Sequence, residues 1–247
     1  MKFKDFGNIE NPTIILIHGG GLSWWSLESI IAELDNAYHI VTPIIDGHGE
    51  DGETEFVSIQ DTATKLIKYI DLEFEGHVFA IGGLSIGAQI VTEVLATKLN
   101  IAKYAIIESA LVFPIKGTKT LMVPIFKLFY GLVNKRWFSK LQAKTLYVPE
   151  TMFEQYYQDS LCITKQSLIN IALSNGSYKL NDAIANTKSK VLIIVGEKEI
   201  NVMKRSAHRL HDLIPNSQLN IAKDMKHGEI SLVHTQEYIA LIKSFIS

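Results

Sequence analysis

The chain has 247 residues, of which 47% are hydrophobic and 20% are charged, and its formal net charge is −2. These proportions are those of a globular protein, and they exclude a disordered chain or a fibrous repeat. A net charge so close to zero gives no electrostatic footprint for nucleic acid. The single cysteine, Cys162, excludes an intramolecular disulfide and a cysteine-rich zinc site, and it is typical of a reducing compartment.

The N-terminal sequence and the apolar stretches bear on location. MKFKDFGNIENP has no apolar segment of the kind found in secretory signals. A membrane span needs roughly 18 uncharged apolar residues, and the nearest stretch, residues 120–133, is shorter and contains Lys127. We therefore expect a cytoplasmic protein with no integral membrane association.

Short apolar runs predict the strands of a buried sheet, because runs without polar alternation are typical of strands covered on both faces. These runs are residues 13–17, 39–41, 78–81, 104–107 and 191–195, and residues 218–221 are predicted as a further short strand. Helical periodicity covers residues 58–70, 86–99, 201–213 and 229–245. Alternation of strands and helices predicts an α/β fold with a mostly parallel central sheet and helices on both faces.

One connection is too long for a simple crossover. A crossover needs about a dozen residues, whereas residues 108–190 separate two predicted strands. The excess, residues 114–178, has aromatic and aliphatic residues at helical spacing. We expect a helical cap over the end of the sheet, with residues 121–133 as an apolar roof and a core domain of residues 1–113 and 179–247. Helices packed on the side of the sheet are the alternative.

The sequence GLSIG, residues 83–87, lies between a predicted strand and a predicted helix. G-x-S-x-G in this setting is typical of a sharp turn that presents a nucleophilic serine. Gly83 and Gly87 would let the strand and the helix approach closely, and the turn would expose Ser85 Oγ above the sheet edge. The start of the helix would favour the negative charge that develops there.

A second motif, HGGG at residues 18–21, follows the first buried strand. An oxyanion hole needs two backbone N–H groups directed at one point. We assign one of them to Ile86, the residue after the serine, and the other to Gly20, with Gly21 as the second choice. We expect His18 to order this loop, and the loop is not a phosphate loop because no G-K-[ST] follows.

A serine nucleophile needs a general base, and the base needs an orienting carboxylate. Of the eight histidines, we choose His227 because it lies in a loop that opens at the same sheet edge as Ser85. Glu199 comes just after a buried strand and is expected to face this histidine. Glu197, Asp224 and Glu108 remain alternatives for the carboxylate.

Together these segments resemble the α/β-hydrolase superfamily, in its group of small, cap-bearing, esterase-like enzymes. The matching motifs are HGGG at 18–21, DGHG at 46–49, GLSIG at 83–87, GEKE at 196–199 and KHGE at 226–229. The chain departs from the pattern at Glu199, where most capped members have Asp. The resemblance implies a serine hydrolase that cleaves carboxylic esters with Ser85, His227 and Glu199, without a metal or an organic cofactor.

The expected partner is a small ester with an apolar acyl or aryl group, because the cap segment is apolar. Gly21 and Trp24 are expected to contact it, although packing between helix and sheet explains Trp24 equally well. A homodimer is also compatible with the sequence. Alternative hypotheses are a thioesterase or lysophospholipase, an acyltransferase, and a non-catalytic ligand-binding protein on the same scaffold.

Overall fold

A computed structural model of the chain describes residues 1–118, 120 and 123–247, apart from the side chain of Phe129. One sheet of seven strands has the order β1-β3-β2-β4-β5-β6-β7. The strands are β1 (Lys2–Phe6), β2 (Thr13–Ile17), β3 (His39–Ile44), β4 (Val78–Leu84), β5 (Ala102–Glu108), β6 (Lys190–Gly196) and β7 (Ser217–Ala222). Strand β1 runs antiparallel to β3, and every other neighbouring pair is parallel, which confirms the predicted sheet.

Ten α-helices lie in the described part of the chain. They are α1 (Glu28–Leu34), α2 (Ile59–Glu73), α3 (Ile86–Thr97), α4 (Val123–Phe129), α5 (Arg136–Thr145), α6 (Phe153–Cys162), α7 (Lys165–Ser177), α8 (Asn201–Leu213), α9 (Glu229–Leu232) and α10 (Thr235–Ile246). Helices α2, α3 and α8 pack on one face of the sheet, and α1 and α10 pack on the other. None of the helices in residues 1–118 and 123–247 is long and apolar enough to cross a bilayer.

The apolar runs of the central strands are buried because these strands contribute side chains to two separate cores. In β2, Ile15 and Ile17 face the core with α2 and α3, while Ile14 and Leu16 face the core with α1 and α10. Successive side chains of a strand point to opposite faces, so a strand covered on both sides does not alternate between apolar and polar residues. This arrangement confirms the helices on both faces.

The structure differs from the prediction in two places. Strand β1 was not predicted, because its sequence KFKDF alternates with charges as an exposed edge strand does. The helix predicted over residues 229–245 is two helices, α9 and α10, and the chain leaves helical geometry between them at His234, with φ −98° and ψ 47°. The apolar periodicity continues across this break, so the sequence pattern does not mark it.

Helices α4–α7 form an insertion, residues 114–178, between β5 and β6. Residues 121 and 122 of the predicted apolar roof lie outside the described residues. Core side chains near the ends of β2 and β4 share an apolar cluster with this insertion, formed by Leu22, Trp25, Leu84, Ala143, Phe153 and Tyr156. The insertion therefore packs over the carboxyl ends of the central strands, and the division into a core and a cap stays a prediction.

Candidate active site

Ser85 occupies a strained turn between β4 and α3, with φ +57° and ψ −114°. A residue with a side chain rarely adopts positive φ, so the surrounding structure must impose this conformation. The Ser85 N–H donates to the carbonyl of Glu108 on β5 at 2.9 Å, and the N–H of Gln89 donates to the Ser85 carbonyl at 3.0 Å. These bonds tie the turn to the neighbouring strand and to the first turn of α3.

The two glycines of the motif allow this turn by close packing of backbone on backbone. A Cβ added to Gly83 would lie 2.4 Å from the carbonyl carbon and oxygen of Gly87. A Cβ added to Gly87 would lie 2.6 Å from the carbonyl oxygens of Ile17 and His18. Because backbone atoms cannot move aside as a flexible side chain can, these positions require glycine for the reason that the sequence predicts.

His227 and Glu199 form a hydrogen-bonded pair. His227 Nδ1 lies 2.8 Å from Glu199 Oε2, and the Glu199 side chain is only 1% exposed. The second oxygen, Oε1, accepts from the Ser109 hydroxyl at 2.7 Å and from the Gly196 N–H at 2.8 Å. Burial opposes ionisation, but the hydrogen bond and charge of His227 and the two further donors outweigh it, so the pKa of Glu199 lies below its usual value.

Ser109 is a residue of this site that sequence reasoning missed. It follows the last residue of β5 and has φ +56°, the left-handed region that a serine rarely occupies. This conformation places its hydroxyl on Glu199, as the hydrogen bond above records. The available signal was a polar residue directly after a buried strand, at the sheet edge where Ser85 also lies.

The other carboxylates proposed as alternatives have different partners. Glu197 accepts from the N–H of Asp224 at 2.9 Å, and the Asp224 carboxylate pairs with Lys198 at 3.0 Å. Glu108 is buried and accepts from the Ser231 hydroxyl at 2.9 Å. Of the four candidates, the structure therefore brings Glu199 to the ring of His227.

The HGGG loop lies beside the elbow. Gly19 and Gly20 line a cavity together with Ser85, and a Cβ added to Gly20 would lie 3.5 Å from Ile86 Cγ2. His18 is fully buried; its Nε2 accepts from the Ile45 N–H at 3.1 Å, so its Nδ1–H donates to the Gly19 carbonyl at 2.9 Å. Burial lowers the pKa of His18 to about 3, so this ring is neutral and orders the loop.

Two cavities meet at Ser85 and His227. The larger has about 720 Å³, and its apolar lining comes from Leu22, Leu84, Leu141, Leu146 and Leu232. The smaller has about 460 Å³, and its polar lining includes Gln89, Ser109, Asn175, Lys198 and Glu199. Lys226 lines both. The insertion contributes side chains to each cavity, so it shapes the space around Ser85.

The two residues predicted to contact the substrate, Trp24 and Gly21, differ in where the structure places them. Trp24 donates from Nε1 to Glu50 at 3.2 Å and packs against the ring of Phe6, and it is absent from the described lining of both cavities. The structure therefore does not bring Trp24 to the site, which agrees with its alternative packing role. Gly21 has φ +74°, and a Cβ there would lie 3.3 Å from Leu146, which lines the larger cavity.

His227, the proton acceptor expected for Ser85, lines the same two cavities but makes no hydrogen bond to the serine hydroxyl. Among the hydrogen bonds of the described residues, the His227 ring makes one to Glu199 and none to Ser85 Oγ. The His227 side chain is 47% exposed and lines both cavities. Catalytic hydrogen bonds are often long without substrate and tighten in the complex, so this geometry is compatible with a base for the serine.

A family model described as serine aminopeptidase, S33, matches residues 10–230 of the chain. The chain belongs to this family of α/β-hydrolases. The match includes the HGGG loop, the elbow, the Glu199 loop and the His227 loop. The resemblance inferred from the motifs is thereby confirmed at the level of the superfamily.

Individual relatives are distant. The chain is 28% identical over 142 residues to an AB hydrolase superfamily protein of Gibberella zeae, and this match covers 55% of the chain and 48% of that protein. The chain thus spans about half the length of the curated relative. An α/β-hydrolase family protein of Desulfitobacterium hafniense has a TM-score of 0.79 at 20% identity and 100% coverage of both chains. A carboxylesterase structure of Nitrososphaera gargenis has a TM-score of 0.80 at 16% identity, covering 99% and 93%.

Proposed function

We propose that the chain is a serine hydrolase that cleaves carboxylic esters with small to medium apolar acyl or aryl groups. One observation carries the proposal: the buried, ionised Glu199 holds His227 at 2.8 Å beside the cavities that also contain the strained Ser85. This arrangement has the nucleophile, the base and the orienting acid that acyl transfer requires. The carboxylesterase structure among the neighbours is consistent with it but supports the fold alone.

In the proposed mechanism, Ser85 Oγ attacks the ester carbonyl as His227 Nε2 takes the hydroxyl proton. The carbonyl π electrons move to oxygen, and the resulting oxyanion collapses to expel the alcohol, which receives the proton from His227. Water then attacks the acyl-enzyme with the same base and releases the acid and free Ser85. Glu199 keeps the Nδ1 proton in place and stabilises the imidazolium, and its burial makes this charge effective.

The oxyanion would be held by backbone N–H groups of Gly20 and Ile86. Ile86 is the first residue of α3, and the N–H groups in the first turn of a helix have no partner within the helix. Gly20 lines the larger cavity together with Ser85, and it has no side chain that would occupy the space for the oxyanion. Each such donor contributes about 3 kcal/mol to stabilising the transition state.

The larger cavity supports an apolar acyl group as the substrate feature. Five leucines line it, and Gly19 and Gly20 place the carbonyl end of the cavity beside Ser85. Each methylene buried there contributes about 0.8 kcal/mol, so kcat/KM should rise about fourfold per methylene until the cavity is full. We also propose that residues 114–178 act as the cap of this site, since Leu141 and Leu146 supply part of the lining.

The test is labelling of the folded protein by a fluorophosphonate, with the modified peptide mapped, together with hydrolysis of p-nitrophenyl esters from acetate to decanoate. We expect label on Ser85 and turnover that increases with chain length before it declines. Ser85→Ala should lose both the label and the turnover while keeping its circular dichroism. Ser109→Ala is the matched control for labelling and should still take the label at Ser85. Ser109 lines the smaller cavity, but its hydroxyl donates to Glu199 and is not the proposed nucleophile.

Three outcomes would contradict the proposal. Label on a serine other than Ser85 would show a different nucleophile, and normal hydrolysis by Ser85→Ala would show that this serine is not needed. A folded protein that takes no label and cleaves no ester would favour a ligand-binding role. Product analysis with added alcohol separates hydrolysis from acyl transfer, because a transferase forms a new ester.

A further inference from the structure

Helix α5 exposes a stripe of large apolar side chains. Trp137 is 63% exposed and Leu141 is 59% exposed, and they lie one helical turn apart on the same face. Lys144 continues this face in the next turn, and we call these three residues the α5 stripe. Ser139 and Ala143, on the opposite face of the helix, are buried. The helix therefore packs inward through small residues and presents its largest apolar groups to solvent.

The sequence around the stripe is strongly basic. Residues 109–149 contain seven Lys or Arg and no Asp or Glu, so the rest of the chain has a net charge of −9 while the whole chain has −2. Within α5, Arg136 pairs with Glu154 of α6, and Lys140 lies over the ring of Phe153. Lys144 has a side chain on the exposed face, beside Leu141. Exposed apolar groups flanked by cations are typical of a surface that meets an anionic interface.

The α5 stripe is continuous with the larger cavity. Leu141 and Lys144 belong to the stripe and also line that cavity, and Leu146 continues the lining toward Ser85. Trp137 lies one helical turn before Leu141, so the exposed stripe begins where the leucine lining of the larger cavity ends. The exposed face and the candidate active site are thus two parts of one apolar path.

We infer that the α5 stripe docks on the surface of an anionic lipid bilayer. Tryptophan is enriched at the level of lipid headgroups, and lysine can bury its stem while its ammonium group meets anionic headgroups. Two copies joined through the same face would bring two basic segments together, so charge disfavours a second copy as the occupant. The lipid surface satisfies both the apolar side chains and the charge.

Docking would place the mouth of the cavity at the bilayer, where apolar esters accumulate. This consequence rests on the proposed function, because it assumes that the occupant of the cavity is an ester. The docking itself does not rest on that assumption. It can be measured on a protein that has no nucleophile.

The experiment uses the Ser85→Ala protein and sucrose-loaded vesicles that are sedimented with bound protein. One set contains phosphatidylcholine alone, and the other contains phosphatidylcholine and phosphatidylglycerol in equal parts. We expect binding to the anionic vesicles that weakens as salt is added, and little binding to the neutral ones. Equal binding to both sets, or binding to neither, would overturn the inference.

Variants locate the docking surface. Lys144→Gln should weaken binding to the anionic vesicles about fivefold, as expected for one cation near the headgroups. Trp137→Phe should retain binding but lose the quenching of tryptophan fluorescence by brominated lipid. Leu72→Gln and Lys68→Gln, two exposed positions of α2 outside the insertion, are the matched controls and should bind as the parent does. Equal weakening in the α2 variants would overturn the assignment to α5.

Activity assays on proteins that retain Ser85 separate the two proposals. Trp137→Ser should hydrolyse a short ester in water at the wild-type rate, because Trp137 does not line either described cavity, and should lose activity on an ester embedded in anionic vesicles. Vesicle binding without any ester hydrolysis would leave the docking intact and contradict the proposed function. Hydrolysis without vesicle binding would support the proposed function and contradict the docking. A dimer that Trp137→Ser dissociates would also contradict the docking, because it would show a second copy on this face.

Discussion

Two buried carboxyl groups lie at the carboxyl ends of neighbouring strands, yet they favour opposite ionisation states. Glu199, just after β6, accepts hydrogen bonds from His227, Ser109 and the Gly196 backbone, and its pKa is low. Glu108, the last residue of β5, accepts at Oε1 from a hydroxyl, and its Oε2 has no partner in the described part of the chain. Burial raises the pKa of Glu108 to about 7.

The difference shows that burial alone does not decide the charge of a carboxyl group. Both side chains are almost inaccessible, so both pay a desolvation cost for ionisation. Three donors from three residues compensate this cost for Glu199, whereas Ser231 as the single donor residue does not compensate it for Glu108. A carboxylate that holds an imidazolium must be ionised at neutral pH, so the number of donors distinguishes the acid suited to the task.

The largest effect should come from removing the charge of Glu199. Glu199→Gln keeps the size of the side chain but loses the stabilisation of the imidazolium, and kcat should fall about 10⁴-fold. The measurement is kcat for p-nitrophenyl butyrate, with Glu197→Gln as the matched control, since Glu197 bonds to the Asp224 backbone. A larger loss of kcat in Glu197→Gln would show that Glu199 is not the orienting acid.

A second prediction concerns the neutral carboxyl. The pKa of Glu108 is about 7 in the folded chain against an ordinary value of 4.5, so between these values the folded state keeps a proton that the unfolded state releases. The free energy of unfolding should therefore fall as the pH rises through this window, by at most about 3 kcal/mol. Glu108→Gln cannot titrate and should lose this slope in urea unfolding at a series of pH values. An unchanged slope would contradict the assignment.

Removing one donor from the ionised carboxyl should have a smaller effect. Ser109→Ala should cost about 1.5 kcal/mol of unfolding free energy at neutral pH, because a hydrogen bond to a charged group is lost. The cost should shrink at acid pH, since Glu199 has a lowered pKa and contributes its stability only while ionised. Ser109→Gly loses the same bond but relieves the positive φ, so it should be more stable than Ser109→Ala. The reverse order would contradict the backbone argument.

The smallest effect should come from the partner of the neutral carboxyl. Ser231→Ala removes a hydrogen bond to a group that is largely protonated below neutral pH, and it should cost about 1 kcal/mol there. The Ser231 hydroxyl lowers the pKa of Glu108, so its loss should move the pH-dependent slope to higher pH. The same unfolding series measures both changes. A cost as large as that of Ser109→Ala at neutral pH would remove the distinction between the two carboxyls.

The sheet could be predicted because its strands are buried on both faces. A covered strand is predominantly apolar, and β2 occupies the residues that its apolar run predicts. Strand β1 lies at an edge and has polar and charged side chains, so the same criterion misses it. The break between α9 and α10 was also missed, because apolar periodicity runs through it.

The candidate site could be predicted where local sequence decides geometry. Gly83 and Gly87 mark a turn that other residues cannot form, and strand ends bring His227 and Glu199 to one edge. Ser109 was missed because its role depends on a backbone conformation that no sequence pattern marks. The basic segment was missed because acidic residues elsewhere cancel its charge in the total. The cytoplasmic location stays a prediction.

The backbone contacts at Gly83 and Gly87 affect what a saturation-mutagenesis selection would report. Any side chain at either position would meet backbone atoms closer than 3 Å. A selection for enzyme activity alone would therefore rank these glycines beside Ser85, as though all three took part in the chemistry. A parallel screen for cellular protein abundance would separate them, because substitutions at the glycines remove the folded chain whereas substitutions at Ser85 leave it.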